Sequence, residues 1–162
     1  MKIKQLLLFI FIGNLIITNS TLAQSFQTGA GLRFGGLSNG LTIKHFISKV
    51  SALEGILSFG HKNSLVTGLY EIHTPVDHSS LFSLFYGVGG HIVFFRDGGS
   101  YYYNNNHLYA ATTVSGIDAI LGLNYTFKQA GVNVSMDFKP FIDFYNASIF
   151  YFDGGVSVRY IF

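Results

Sequence analysis

The chain has 162 residues, enough for one domain with a closed architecture. Charged residues make up only 11% of it, against 49% hydrophobic and 17% aromatic, and there is no Cys; this excludes a disulfide-stapled domain and is too apolar for a charge-dressed soluble one. The formal net charge of +2 equals the contribution of Lys2 and Lys4, so the remainder is balanced and nucleic acid is excluded as a partner.

Lys2 and Lys4 precede an apolar run from Leu6 to Ile17, and a polar stretch then leads to Thr21-Leu22-Ala23. This is the pattern of an export signal over residues 1–23, cleaved before Gln24, with the domain proper over 24–162. The run is broken by Gly13 and Asn14 and falls short of the roughly twenty apolar residues a membrane-spanning helix needs. No later stretch approaches that length, so lipid could be met only by a closed barrel, which satisfies every backbone group internally.

Alternation of period two then decides the elements. Ala30, Leu32 and Phe34 alternate with Gly31, Arg33 and Gly35 in a first strand that turns over Gly36 to Gly40. A second strand over 41–47 sets Leu41 and Ile43 against Thr42 and Lys44; His45 and Phe46 break this parity and predict a bulge or an early end. Strands follow over 52–59, with Glu54 on the minority face, and over 65–73, with Glu71 and His73. Residues 81–96 predict a longer strand in which His91 stands near Gly87, Gly89 and Gly90, which would make room for its ring.

The longest connection, 97–113, carries Tyr101, Tyr102, Tyr103, Asn104, Asn105 and Asn106, a composition suited to an exposed loop, whether a tip that contacts ligands or an ordinary solvated connection. Ile117 to Phe127 and Val132 to Lys139 form the next two strands, with Asp118, Asp137 and Lys139 on the minority face. The last strand, GGVSVRYIF over 154–162, places Val156, Val158, Tyr160 and Phe162 on one face and Ser157 and Arg159 on the other. The count is about eight strands, an even number at the small end of the outer-membrane range.

With its terminal stripe closing on Phe162, the chain resembles the small outer-membrane β-barrels of the OmpA/OmpX type, including the PorT-like group. The resemblance implies an all-β, closed, up-and-down antiparallel transmembrane barrel in the outer membrane of a Gram-negative cell. It implies outer-membrane lipid as the surroundings, and barrel-assembly machinery, which reads the terminal stripe, and periplasmic chaperones as partners during biogenesis.

An eight-stranded barrel is just wide enough to be filled by its own side chains. Arg33, Lys44, Glu54, Glu71, His91, Asp118, Asp137, Lys139 and Arg159 are therefore expected to form an interior charged network, four basic and four acidic residues with one histidine, rather than a pore. No cofactor is expected. His73, Asp77 and His78 lie near a turn but make weak metal ligands there. Some barrels of this size act on lipid A through Ser, His and a carboxylate; here only His78 and Ser80, beside Asp77, have the spacing. A soluble lipocalin-like carrier of an apolar ligand is the other alternative. It would bury the Val/Leu/Phe stripes and expose Lys44, Glu54, Asp118 and Arg159.

Overall fold

The computed structural model describes residues 27–60, 62–76, 81–100, 110–145 and 147–162, the side chains of 145 and 147–149 apart. Eight strands follow one another: β1 (Thr28–Gly35), β2 (Gly40–Phe46), β3 (Ser51–Gly60), β4 (Asn63–Pro75), β5 (Phe82–Phe95), β6 (Thr112–Phe127), β7 (Val132–Tyr145) and β8 (Ala147–Ile161). Each pairs antiparallel with the next, and β8 pairs with β1 to close the barrel. Closure leaves no free sheet along the seam, where Gly29 to Gly35 face Ile161 to Gly155 in register.

The register is sheared. A row of partners starting at Gly31 passes Thr42, Ile56, Thr67, His91, Gly116 and Asp143 and reaches β8 at Ile149, ten residues from Arg159, which is Gly31's own partner. Such a stagger requires strands tilted by about 35–45° to the barrel axis. Inward side chains of distant strands therefore meet across the lumen, Arg159 of β8 with Glu54 of β3 and Arg33 of β1 with Asp137 of β7.

The alternation sorts side chains as the sequence predicts. Leu32, Phe34, Leu41, Ile43, Leu53, Leu57, Val88, Ile117, Leu121 and Phe138 are exposed on the outside, whereas Arg33, Lys44, Glu54, Glu71, Asp118, Lys139 and Arg159 are buried inside. β2 stays in register with β3 as far as Phe46 opposite Ala52 and ends there, with no bulge. Phe46 instead packs against the His73 ring, 4.8 Å between centroids, at one end of the lumen.

The last hairpin is longer than the sequence pattern predicts. Pro140 reads as a strand breaker, yet β7 continues through it to Tyr145 and β8 begins at Ala147. The reason lies in which neighbour needs the missing N–H. Pairing of β7 with β8 runs unbroken through Pro140 opposite Phe152. On the other side, β6–β7 pairing stops at Asp118 opposite Phe141 and resumes at Leu121 opposite Phe138. The cost of the proline is thus one local gap in a single ladder.

Two apolar clusters share the interior with the charges. Ile56, Leu69, Phe85 and Ile120 pack on the β3–β6 side. Leu37, Leu65, Val93, Phe95, Val114, Phe141 and Tyr151 fill the end that carries the connections after β1, β3, β5 and β7. Leu37 enters this cluster from the β1–β2 turn, where its N–H donates to Asp153 Oδ1 at 2.9 Å.

Candidate functional site: the ionic lumen

Because charged side chains occupy inward positions on neighbouring and facing strands, they assemble into three connected groups. The first centres on Glu54. Lys44 and Glu54 are register partners on β2 and β3, and Lys44 Nζ lies 3.0 Å from Glu54 Oε2 and 2.7 Å from Glu71 Oε2. Arg159 pairs with Glu54 Oε1 and donates through Nε to Thr42 Oγ1 (3.1 Å) and through Nη1 to Ser135 Oγ (2.8 Å) and Asn133 Oδ1 (3.2 Å). His73 Nε2 stands 2.9 Å from Glu71 Oε2, and Lys44 Nζ lies 4.3 Å over the Phe85 ring.

The second group centres on Arg33, which grips Asp137 through both terminal nitrogens, reaches Asp153 Oδ2 at 3.3 Å and donates through Nε to Ser38 Oγ at 2.9 Å. Asp153 also accepts from the Ser38 hydroxyl and from the N–H groups of Leu37 and Gly154. The third group is built on His91: Nδ1 lies 2.8 Å from Asp118 Oδ2 and Nε2 lies 2.9 Å from Asp143 Oδ1, so the ring ties β5 to both β6 and β7. Lys139 Nζ donates to the other oxygen of Asp118 at 2.8 Å.

Space for these large groups comes from inward glycines on the strand alongside. A Cβ at Gly116 would lie 2.4 Å from His91 Cε1 and 2.2 Å from the Ile142 carbonyl. One at Gly155 would lie 2.8 Å from Arg33 Cζ, and one at Gly122 2.5 Å from Phe85 Cζ. The glycines beside His91 in sequence serve differently: Gly87 and Gly89 abut the carbonyls of Tyr70 and Gly68 on β4. The room for the imidazole is made across the β5–β6 ladder, a relation that local sequence does not display.

All nine residues expected in the interior network are buried there: Arg33, Lys44, Glu54, Glu71, His91, Asp118, Asp137, Lys139 and Arg159. The balance of four and four is not what the structure contains. Asp143 and Asp153 are buried as well, giving six buried carboxylates to four buried Lys and Arg side chains among the described residues, with His91 between two of the carboxylates. Both extra residues continue the odd-numbered parity of Lys139 and of Arg159, beyond the point where the alternation from Val132 to Lys139 ends in the sequence. Val156, Val158, Tyr160 and Phe162 stand exposed on the outer face of β8 and just beyond its end. Tyr101, Tyr102, Tyr103, Asn104, Asn105 and Asn106 lie outside the described residues, as do Asp77, His78, Ser80 and the segment 1–23.

Chemically, these charges are spent on one another. Among the described residues no three His, Asp or Glu side chains converge as a metal ion requires. His73, which the sequence groups with Asp77 and His78, turns inward to Glu71 and stacks on Phe85 at 5.1 Å between centroids.

The fold is a small closed eight-stranded antiparallel β-barrel with a charged interior inside an apolar wall. No protein-family model matches the chain, and no curated protein matches it. Among solved structures it is similar to the crystal structure of the N-terminal β-barrel domain of OprF from Pseudomonas aeruginosa, with a TM-score of 0.60 and 13% sequence identity, covering 84% of this chain and 96% of that one. At that identity the likeness is one of fold.

Proposed function

We propose that the chain is a non-enzymatic integral outer-membrane β-barrel with a structural or surface-interaction role. The observation that carries this reading is the inversion of the usual solubility pattern: Val88 is 64% exposed and Leu121 51%, while Arg33 and Arg159 are 1% and 2% exposed. Water would not tolerate a continuous outer wall of this kind, and hydrocarbon requires it. The same inversion argues against the lipocalin-like carrier, which needs an apolar cavity where this barrel holds ion pairs.

A lipid A-modifying activity has less support. Its residue trio would be Asp77, His78 and Ser80, and the buried histidines His73 and His91 are engaged by carboxylates, with no Ser hydroxyl among the described residues on a ring nitrogen of either. In this reading residues 1–23 are the export signal and outer-membrane lipid surrounds the barrel. Tyr125, Phe127, Tyr160 and Phe162 form an interfacial belt at the end carrying the β2–β3, β4–β5 and β6–β7 connections, with Tyr70 and Tyr86 in the same half of their strands. That end faces the periplasm, and the 97–113 connection faces outward from the cell. During biogenesis, periplasmic chaperones and the barrel-assembly machinery handle the chain, the latter through the outer stripe of β8.

The test is a charge placed on the outer wall. Leu121→Arg should destabilise the barrel refolded in a phospholipid bilayer by about 2–4 kcal/mol. A change within about 0.5 kcal/mol, the size expected at an ordinary water-exposed position, would remove the membrane reading.

A further inference from the structure

We propose that His91 carries a proton on each ring nitrogen and, as an imidazolium, clasps β6 to β7 across the break that Pro140 leaves in their ladder. The clasp belongs to the barrel wall and does not depend on the barrel's cellular role.

The two protons follow from what faces the ring. Nδ1 lies 2.8 Å from Asp118 Oδ2 and Nε2 lies 2.9 Å from Asp143 Oδ1, and all three side chains are buried. A neutral imidazole donates from one nitrogen only, and an ionised carboxylate only accepts. One of the two contacts would then set lone pair against lone pair, whereas an imidazolium donates to both carboxylates in charge-assisted bonds. The ring is also held in place, with its edge on Phe141 at 5.1 Å between centroids and Gly116 leaving it room. The charged groups around it are Asp118 of β6 and Asp143 and Lys139 of β7, while β4 presents the neutral Thr67 as its register partner. Six buried carboxylates stand against four buried Lys and Arg side chains among the described residues, so a cationic ring offsets part of the excess.

Its position makes this group a clasp. β6–β7 pairing lacks the pairs between Asp118–Phe141 and Leu121–Phe138, where Pro140 has no N–H to give. Outer side chains cover this seam thinly, for a hollow of about 500 Å³ lies over it, lined by Ile117, Ala119, Pro140, Ile142 and Phe150, among others. On the inside, Lys139 reaches Asp118 from within the break at 2.8 Å. The chain Asp118–His91–Asp143 makes a second link, to a residue of β7 just past Pro140. Two side-chain ties therefore join the strands where backbone bonds are missing. Loss of one ring proton would leave a carboxylate facing a bare nitrogen and open the second tie.

Nitrogen NMR of the histidine rings in the refolded full chain at neutral pH tests the protonation. Both ring nitrogens of His91 should carry hydrogen, and a bare nitrogen would overturn the proposal. Amide hydrogen exchange in detergent tests the clasp. His91→Gln should speed exchange over 116–121 and 138–143 about tenfold relative to the β2–β3 ladder, since it releases one seam and not the whole barrel. In a Pro140→Ala background, where the ladder regains its N–H, the same substitution should speed it less than about threefold. Lys139→Met, which removes the other tie and leaves the ring in place, should act on the same amides and serves in the same comparison should His91→Gln fail to fold. Exchange unchanged or raised evenly around the barrel, or a seam effect that Pro140→Ala leaves undiminished, would equally overturn the proposal.

Discussion

Glu54→Ala tests the lumen most sharply, because the structure predicts which second substitution rescues it. Glu54 is shared by Lys44 at 3.0 Å, by Arg159 and by the Thr42 hydroxyl. Removing it does not abandon both cations equally. Lys44 keeps Glu71 at 2.7 Å, whereas Arg159 retains only the neutral partners Thr42, Ser135 and Asn133. The loss is therefore that of one buried cation deprived of its carboxylate, about 3–5 kcal/mol, and not twice that. Adding Arg159→Met removes the stranded charge and should return part of the loss, with a coupling of about 1–3 kcal/mol in the double-mutant cycle. Adding Lys44→Ala instead should return little, since it deprives Glu71 of the one Lys or Arg it pairs with among the described residues. Urea unfolding of wild type, the three single variants and the two double variants in detergent or lipid, under reversible conditions, measures both cycles. Additive losses for Glu54 and Arg159 would refute the pairing, and stronger rescue by Lys44→Ala would refute the assignment of partners.

Two further substitutions probe packing and biogenesis. Gly116→Ala should cost about 1–3 kcal/mol, because its Cβ meets both the His91 ring and an immovable Ile142 carbonyl, while Gly68→Ala, whose Cβ meets nothing within 4 Å, should stay within about 0.5 kcal/mol in the same unfolding assay. Phe162→Ala removes an exposed outer aromatic worth about 2 kcal/mol at most. It should leave refolding in detergent intact yet sharply lower the amount inserted in cells; equal insertion would show the β8 stripe to be ordinary wall.

The fold was legible wherever one face of a strand is charged and the other apolar. Arg33, Lys44, Glu54, Asp118 and Arg159 each mark inward parity against apolar neighbours, and the strands around them follow. Legibility failed between Pro140 and Asp153, where aromatic residues occupy both faces. Phe138 and Phe152 stack on the outside at 5.4 Å, and Phe141 and Tyr151 stack on the inside at 5.3 Å, so polarity does not alternate there even though orientation does. A proline that looks like a breaker costs only a gap of two register pairs in one ladder, and the inward parity of Asp143 and Asp153 lies beyond it, where polarity gives no alternation to follow. The neighbours that shape the site were hidden for another reason. Gly116 for His91 and Glu71 for Lys44 are set by register and shear, which depend on how the whole ring closes.

Fractionation of native cells tests the central claim most directly, with the protein followed on gels run with and without heating. The protein should sediment with outer membranes, resist extraction by high salt, and shift mobility on boiling as a closed barrel unfolds. Recovery as a soluble periplasmic protein, with no heat-dependent shift, would contradict the inside-out barrel in lipid.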